Sequence, residues 1–403
     1  MARKRARAPR RTSASQPLRF AHPFFTTTPI SQRPVHPKFG QRLTDYIKGN
    51  LETIPAPKRP PLMTLSDIIG ATATQEIQNT SSVSFHAVGD TGRSADSPQG
   101  YVAEAMAKDF KDVSKPAECP AFFFHLGDVI YGHDKVQSYR REFYEPYVHY
   151  PGKIIAIPGN HDGETFPGSD PTTLQAFQAN FCAPSQSVPT IAGTIFRQTM
   201  NQPAVYWQLN APFVDIVGLY SNAAENPGFI SGQIPGQAQK TWLIGCLRKI
   251  KAQRNAGVCK ALVFASHHPP YSVGGHSGSS DMLADIDDAC NQAGIMPDLY
   301  LSGHSHSYQR YSRQLNFGGR SLNIPYIVAG TGGINDQTVP QATGQVTSDS
   351  NGQHTYLQSY RGYGYLLVQA TKQGLTVNFN AVDEQTRQIA SGVDHVTINV
   401  CQK

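Results

Sequence analysis

From Val83 onward, short apolar runs alternate with amphipathic stretches. Runs at 83–88, 121–126, 153–157, 261–265 and 298–301 are bounded by Gly or Pro and predict buried strands. A second set, at 204–219, 307–315, 324–330, 363–370 and 374–381, alternates apolar with polar positions and predicts antiparallel partners. Residues 135–148 and 236–253 carry helical spacing. In the latter, Leu243, Cys246, Leu247 and Ile250 form one stripe and leave Lys240, Lys249 and Lys251 for solvent. A short helix is expected over Thr64–Gln75, where Ser66 and Asp67 cap Ile68, Ile69 and Ala71. Asp281, Asp285, Asp287 and Asp288 read as a solvated helix face. Strands of both kinds with interspersed helices predict an α/β (α+β) sandwich.

Residues 1–62, rich in Pro, Arg and Thr, have no sustained period and read as a basic tail, partly disordered, plus an extended arm. Residues 63–403 are expected to form the folded domain. Charge sharpens this division. The formal charge is +6, and six cations with no acid lie in residues 1–12; removing those six from the 35 basic residues leaves 29, equal to the 29 acidic ones. The body is therefore neutral. The tail reads as a solubilising segment rather than a contact for nucleic acid or an anionic surface. No apolar run is long enough to span a membrane. No apolar stretch follows the tail's cations, so it makes a poor export signal. The six cysteines, at 119, 182, 246, 259, 290 and 401, fall in no zinc-like spacing. They read as reduced and structural, and the expected location is cytoplasmic. The Arg- and Ser-containing, acid-poor start also resembles an organellar transit peptide, so organellar targeting or atypical export is the alternative.

Chemistry gathers where the strand runs end. GDTG occupies 89–92, GDVIY 127–131, GNHD 159–162, SHH 266–268 and GHSH 303–306. These motifs present Asp90, Asp128, Tyr131, Asn160, His267 or His268, His304 and His306. Oxygen and nitrogen donors without thiolate suit hard or borderline metal ions. Adjacent His267 and His268 point opposite ways on a strand, so at most one coordinates without a turn; His304 and His306 share a face. Ligands collect outside the carboxyl ends of strands in open α/β sheets, so five separate loops are expected to converge. The stretch 329–333 lacks the ending of a nucleotide-binding loop and reads as a turn bordering the site.

This motif series resembles the calcineurin-like metallophosphoesterases, and within them the purple acid phosphatase branch. Most members of the wider family open with DxH; here Gly92 stands at the His position and Tyr131 supplies the substitute. The resemblance implies a four-layer αββα sandwich, with two mixed β-sheets flanked by helices, and makes 63–403 the catalytic domain. It implies two metal ions, the first held by Asp90, Tyr131, His306 and a bridging Asp128. The second would be held by Asp128, Asn160, His267 and His304. Phenolate and carboxylates favour Fe(III) at the first position, with Fe(II), Zn(II) or Mn(II) at the second.

The expected reaction is hydrolysis of phosphate monoesters. Two ions roughly 3.5 Å apart activate a shared water for in-line attack. A phosphodiesterase or nucleotidase on the same core is the alternative. His161 is expected to stabilise the transition state and protonate the leaving group. Asp162 either orients the His161 ring or caps a turn. His268 and His276 are expected phosphate contacts.

Overall fold

The apolar runs become the parallel strands at the centres of two sheets. A computed structural model describes residues 51–132, 134–165, 172–349 and 351–400. The basic tail at 1–12 therefore lies outside the described residues. The first strands are β1 (Leu62–Thr64), β2 (Ser82–Val88), β3 (Phe122–His125), β4 (Lys153–Ala156) and β5 (Trp207–Asn210). Next come β6 (Val214–Leu219), β7 (Ala261–Ser266), β8 (Leu299–Ser302), β9 (Tyr308–Phe317) and β10 (Arg320–Ala329). The last are β11 (Val346–Ser348), β12 (Gly352–Tyr360), β13 (Tyr363–Thr371), β14 (Gly374–Val382) and β15 (Ile389–Asn399).

One sheet has nine strands in the order β1-β5-β6-β7-β8-β10-β9-β12-β11, and the other six in the order β15-β14-β13-β2-β3-β4. Both are mixed. β6, β7, β8 and β10 run parallel in the first sheet, and β2, β3 and β4 in the second. The remaining pairings are antiparallel except β1 with β5.

The continuous apolar character of the parallel strands follows from burial on both faces. Along β7, Ala261, Val263 and Ala265 join the core between the sheets. Leu262 and Phe264 face the opposite way and pack beneath the helices Ala238–Asn255 and Ser280–Ala293. The expected stripe of Leu243, Cys246, Leu247 and Ile250 is buried in that second core. On the other sheet, Val102 and Met106 of the helix Pro98–Ala107 are buried in the main core. Two mixed sheets flanked by helices are thus the fold.

Several local expectations change. The helix expected at 64–75 is two helices, Leu65–Ile69 and Ala71–Thr80, divided at Gly70 with φ 86°. Its N-cap is Thr64, and Asp67, one of the two residues expected to cap, accepts from the Thr64 amide at 2.7 Å in a capping box. The segment expected to be helical at 135–148 forms Lys135–Tyr139 and then a π-turn, Arg140–Tyr144. Lys240 is drawn from solvent to Asp285 and Asp288, 2.8 Å from each. Asp287 is buried against Arg313, so the acidic face is not uniformly solvated. Strand β15 was not expected: it is mostly exposed, and its apolar residues keep no steady alternation. Residues 51–61 form no helix or strand, as expected of an arm, and Ile54 anchors them in the core.

Cys119, Cys182, Cys246 and Cys290 are free. Cys259 is disulfide-bonded, against the expectation that all six cysteines are reduced. The cytoplasmic expectation loses that support, because disulfides persist in oxidising compartments. Among the described residues, no helix is long and apolar enough to cross a membrane.

Candidate metal centre

The carboxyl ends of β2, β3 and β4 meet those of β7 and β8, and hydrogen bonds tie the loops together. The His304 amide donates to Asp90 Oδ2 at 2.7 Å, joining one sheet to the other. Asp90 N donates to Gly127 O, and Gly303 N to His267 O, both at 3.0 Å. Asp90, Asp128 and His304 have φ of 62°, 52° and 69°. Such left-handed backbone at residues other than glycine costs free energy and collects at functional sites. Gly159 is fixed by contact: a Cβ there would lie 2.1 Å from Asp128 Oδ1.

The predicted ligands divide into two groups. In the first, the Tyr131 hydroxyl lies 3.3 Å from Asp90 Oδ1 and 3.3 Å from His306 Nε2. Tyr131 therefore points inward. Its ring occupies the space that a side chain at position 92 would need, since a Cβ on Gly92 would fall 2.1 Å from Tyr131 Cδ2. Glu142 holds the Tyr131 backbone by accepting from its amide at 2.7 Å.

In the second group, ligand atoms of Asp128, His267 and His304 lie within 4.8 Å of one another. His267 Nε2 is 3.2 Å from Asp128 Oδ2, and His304 Nδ1 is 3.3 Å from His267 Nε2. Asn160 Oδ1 and His304 Nε2 are buried without a protein hydrogen-bond partner. Carbonyls fix two imidazoles. His267 Nδ1 meets Leu126 O at 2.9 Å, and His306 Nδ1 meets Asn335 O at 3.0 Å. Each ring thereby keeps Nε2 as its ligand atom.

Electrostatics agrees with a site built for cations. Burial pushes Asp90 up to about 7, and the neighbouring charge of Asp128 adds to this. Asp128 is drawn below its ordinary value: burial opposes this, but His267 and His161 outweigh it. Burial lowers His304 well below its ordinary value and His306 to about 4, leaving both neutral as ligation requires. Burial raises Tyr131, and the carboxylates around it raise it further. Its ionisation thus calls for a strongly Lewis-acidic neighbour. Burial lowers His267, but Asp128 and Asp90 prevail and raise it to about 9. The donor set, the bare buried oxygen of Asn160 and the neutral imidazoles of His304 and His306 fit metal ions.

The other expected residues surround this core. The His161 ring packs at a tilt against Tyr131, with centroids 4.4 Å apart and planes 42° apart. Its Nδ1 meets Glu164 Oε2 at 2.9 Å. Burial lowers its pKa, but Glu164 and Asp128 prevail and raise it to about 10. Asp162 performs its capping alternative. Its carboxylate accepts from Gly159 N at 2.9 Å and Val129 N at 3.1 Å, clamping two motif loops; the ring-orienting carboxylate beside His161 is Glu164.

His268 follows His267 past the end of β7, its ring edge-on to that of His267 with centroids 5.5 Å apart, and both its nitrogens are engaged. Nδ1 meets Ser221 Oγ and Nε2 meets Ala224 O, each at 2.8 Å. A phosphate contact through either nitrogen requires one of these bonds to break. His276 packs at a tilt against His304, with centroids 4.2 Å apart, and lies between the amides of Asn226 and Gln337. Residues 329–333 border the site, with Gly332 N donating to Gly89 O at 3.0 Å.

Sequence reasoning missed Glu142, Glu164 and Glu225. Glu225 Oε2 accepts from Asn160 Nδ2 at 3.2 Å, and Glu225 groups with His161 and Glu164 at the edge of the centre. Glu164 stands three residues after His161, the one of these signals within reach of spacing.

Fold and site together define a metal-dependent phosphoesterase. The chain belongs to the calcineurin-like phosphoesterase family, whose model matches residues 83–308. No curated protein matches the chain. Among solved structures, PhoD is 12% identical, with 86% of this chain and 70% of that one covered and a TM-score of 0.48. A Vps29 single mutant from Entamoeba histolytica is also 12% identical, with 79% and 100% covered and a TM-score of 0.25. Likenesses so distant carry no argument about this chain.

Proposed function

We propose that this phosphoesterase is a dinuclear enzyme of the purple acid phosphatase type, hydrolysing phosphate monoesters. The observation carrying this reading is the Tyr131 hydroxyl, 3.3 Å from both Asp90 and His306. Asp90, Tyr131, His306 and bridging Asp128 would hold one ion, and Asp128, Asn160, His267 and His304 the other. Hard anionic donors suit Fe(III) at the first position; an amide and imidazoles suit Fe(II), Zn(II) or Mn(II) at the second. When bound, the ions supply Lewis acidity that activates water and polarises the phosphoryl group.

The remaining chemistry falls to the chain's own residues. His161, oriented through Nδ1 by Glu164, gives a proton from Nε2 to the departing alcohol oxygen. Asp162 keeps the Asp128 and Asn160 loops in register. His276 borders the phosphate, and His268 supports the wall behind it.

Metal analysis and a visible spectrum of protein purified without chelators test the reading. Two equivalents, including iron, and an absorption band lost in Tyr131→Phe are expected. A coloured Tyr131→Phe protein removes the iron assignment. Turnover of an aryl phosphate diester but not its monoester replaces the monoesterase reading with the phosphodiesterase alternative.

A further inference from the structure

Glu225 belongs to none of the five motifs, yet its carboxylate is about nine-tenths buried beside the centre. Oε2 accepts from Asn160 Nδ2 at 3.2 Å, while Oε1 lies 3.9 Å from His276 Nδ1. The opposite end of the same amide, Asn160 Oδ1, is buried with no protein partner. An ionised carboxylate only accepts hydrogen bonds. Turning the amide over would set two acceptor oxygens against each other and place NH₂ where Oδ1 now stands.

We propose that Glu225 is the positioning residue for Asn160, holding its amide with the oxygen turned toward the second metal position and so setting how tightly that ion is bound. The inference rests on the two-metal reading. A carboxylate behind the amide also polarises it and makes Oδ1 a stronger donor, as carboxylates do behind ligating imidazoles. A glutamine could offer either end to Asn160 and would not enforce this orientation.

The loop carrying Glu225 is built to hold it still. Ser221 and Ala224, just ahead of it, are pinned to the two nitrogens of His268. Asn222 exchanges two hydrogen bonds with the Glu52 backbone, at 2.9 and 2.8 Å. Gly228 N donates to Ser279 Oγ at 2.9 Å. His268, expected from sequence to touch phosphate, is thereby the strut of this loop.

The test is Zn(II) titration of metal-stripped wild type, Glu225→Gln and Glu225→Ala against a chromogenic chelator. Urea unfolding of each metal-free protein runs alongside. One equivalent should keep its affinity, and the other should weaken roughly 10- to 100-fold in Glu225→Ala and less in Glu225→Gln. The metal-free unfolding midpoint of Glu225→Gln should stay near wild type. Should Glu225→Ala fail to fold, the isosteric variant decides. Wild-type affinity for both equivalents in the folded variants, or equal weakening of both, overturns the proposal alone. Wild type that takes up fewer than two equivalents overturns the two-metal reading and this inference with it.

Discussion

Two buried polar clusters lie on this fold, made from the same kinds of side chain. In one, Arg313 of β9 sends both terminal nitrogens to Asp287, at 2.7 and 2.6 Å. Asn351 and Tyr271 complete it, bonding Asp287 at 2.6 Å and Asp349 at 2.7 Å. Its charges are paired within the chain: Arg313 Nε makes no hydrogen bond, but it lies 3.4 Å from Asp349 Oδ2. At the metal centre, two carboxylates and a phenol face His304 and His306, which burial holds neutral, and Asn160 Oδ1 and His304 Nε2 have no protein partner. Three of its residues also occupy left-handed backbone. Burial of polar groups therefore does not mark a functional site. What marks this one is polarity that the chain leaves for something else to complete.

The sharpest test of that contrast is Asp128→Asn. Losing the bridge should cost several kcal/mol of transition-state stabilisation, a fall of at least about 10³-fold in kcat/KM. Added metal should no longer raise the unfolding midpoint as it does in wild type. A variant retaining a tenth of the activity contradicts the bridging role. His161→Ala should keep its metal content while turnover falls roughly 10²- to 10⁴-fold; metal loss in parallel would make His161 part of the binding set.

The closed cluster should respond the other way. Asp287→Ala strands a buried guanidinium, and urea unfolding should show a loss of about 3–5 kcal/mol. Metal content and turnover per folded molecule should hold, and a selective fall in turnover would erase the distinction. The smallest effect is pH-linked. Burial pushes Asp349 up, but the Tyr271 hydroxyl, the Asn351 amide and Arg313 outweigh it and hold the acid below its ordinary value. Its contribution is present above about pH 4 and lost as pH falls through the depressed folded value. The stability difference between wild type and Asp349→Asn should therefore shrink on acidification; a constant difference from pH 6 to 3 rules this out.

The same contrast shows what the sequence made legible. The parallel strands were readable because burial on both faces demands unbroken apolar runs, and the motifs at their ends were readable because strand ends repeat. Asp90, Asp128, Tyr131, Asn160, His267, His304 and His306 all lie at the centre for that reason. Glu225 and Glu142 were not legible. Each reaches the site from a segment outside the motifs, a relation set by tertiary packing and not by spacing. Of the two roles open to Asp162, backbone amides claim the capping one. The phosphate contact expected of His268 came from the family resemblance, whereas a neighbouring loop engages both its nitrogens. Asp287 looked solvated because its partner, Arg313, is 26 residues away on a strand that also reads as alternating. β15 escaped notice because an edge strand that is mostly exposed lacks the pattern of a buried one.

The packing of Tyr131 against Gly92 constrains how this centre can change through descent or design. A histidine at 92, the residue most of the wider family carries there, would drive its Cβ into the tyrosine ring. Removing the ring first would leave a hole beside Asp90 and, on the proposed ligand set, one donor too few. Neither single substitution leads from one proposed set of ligands to the other through a sound intermediate. Positions 92 and 131 therefore have to change together, as one unit of packing.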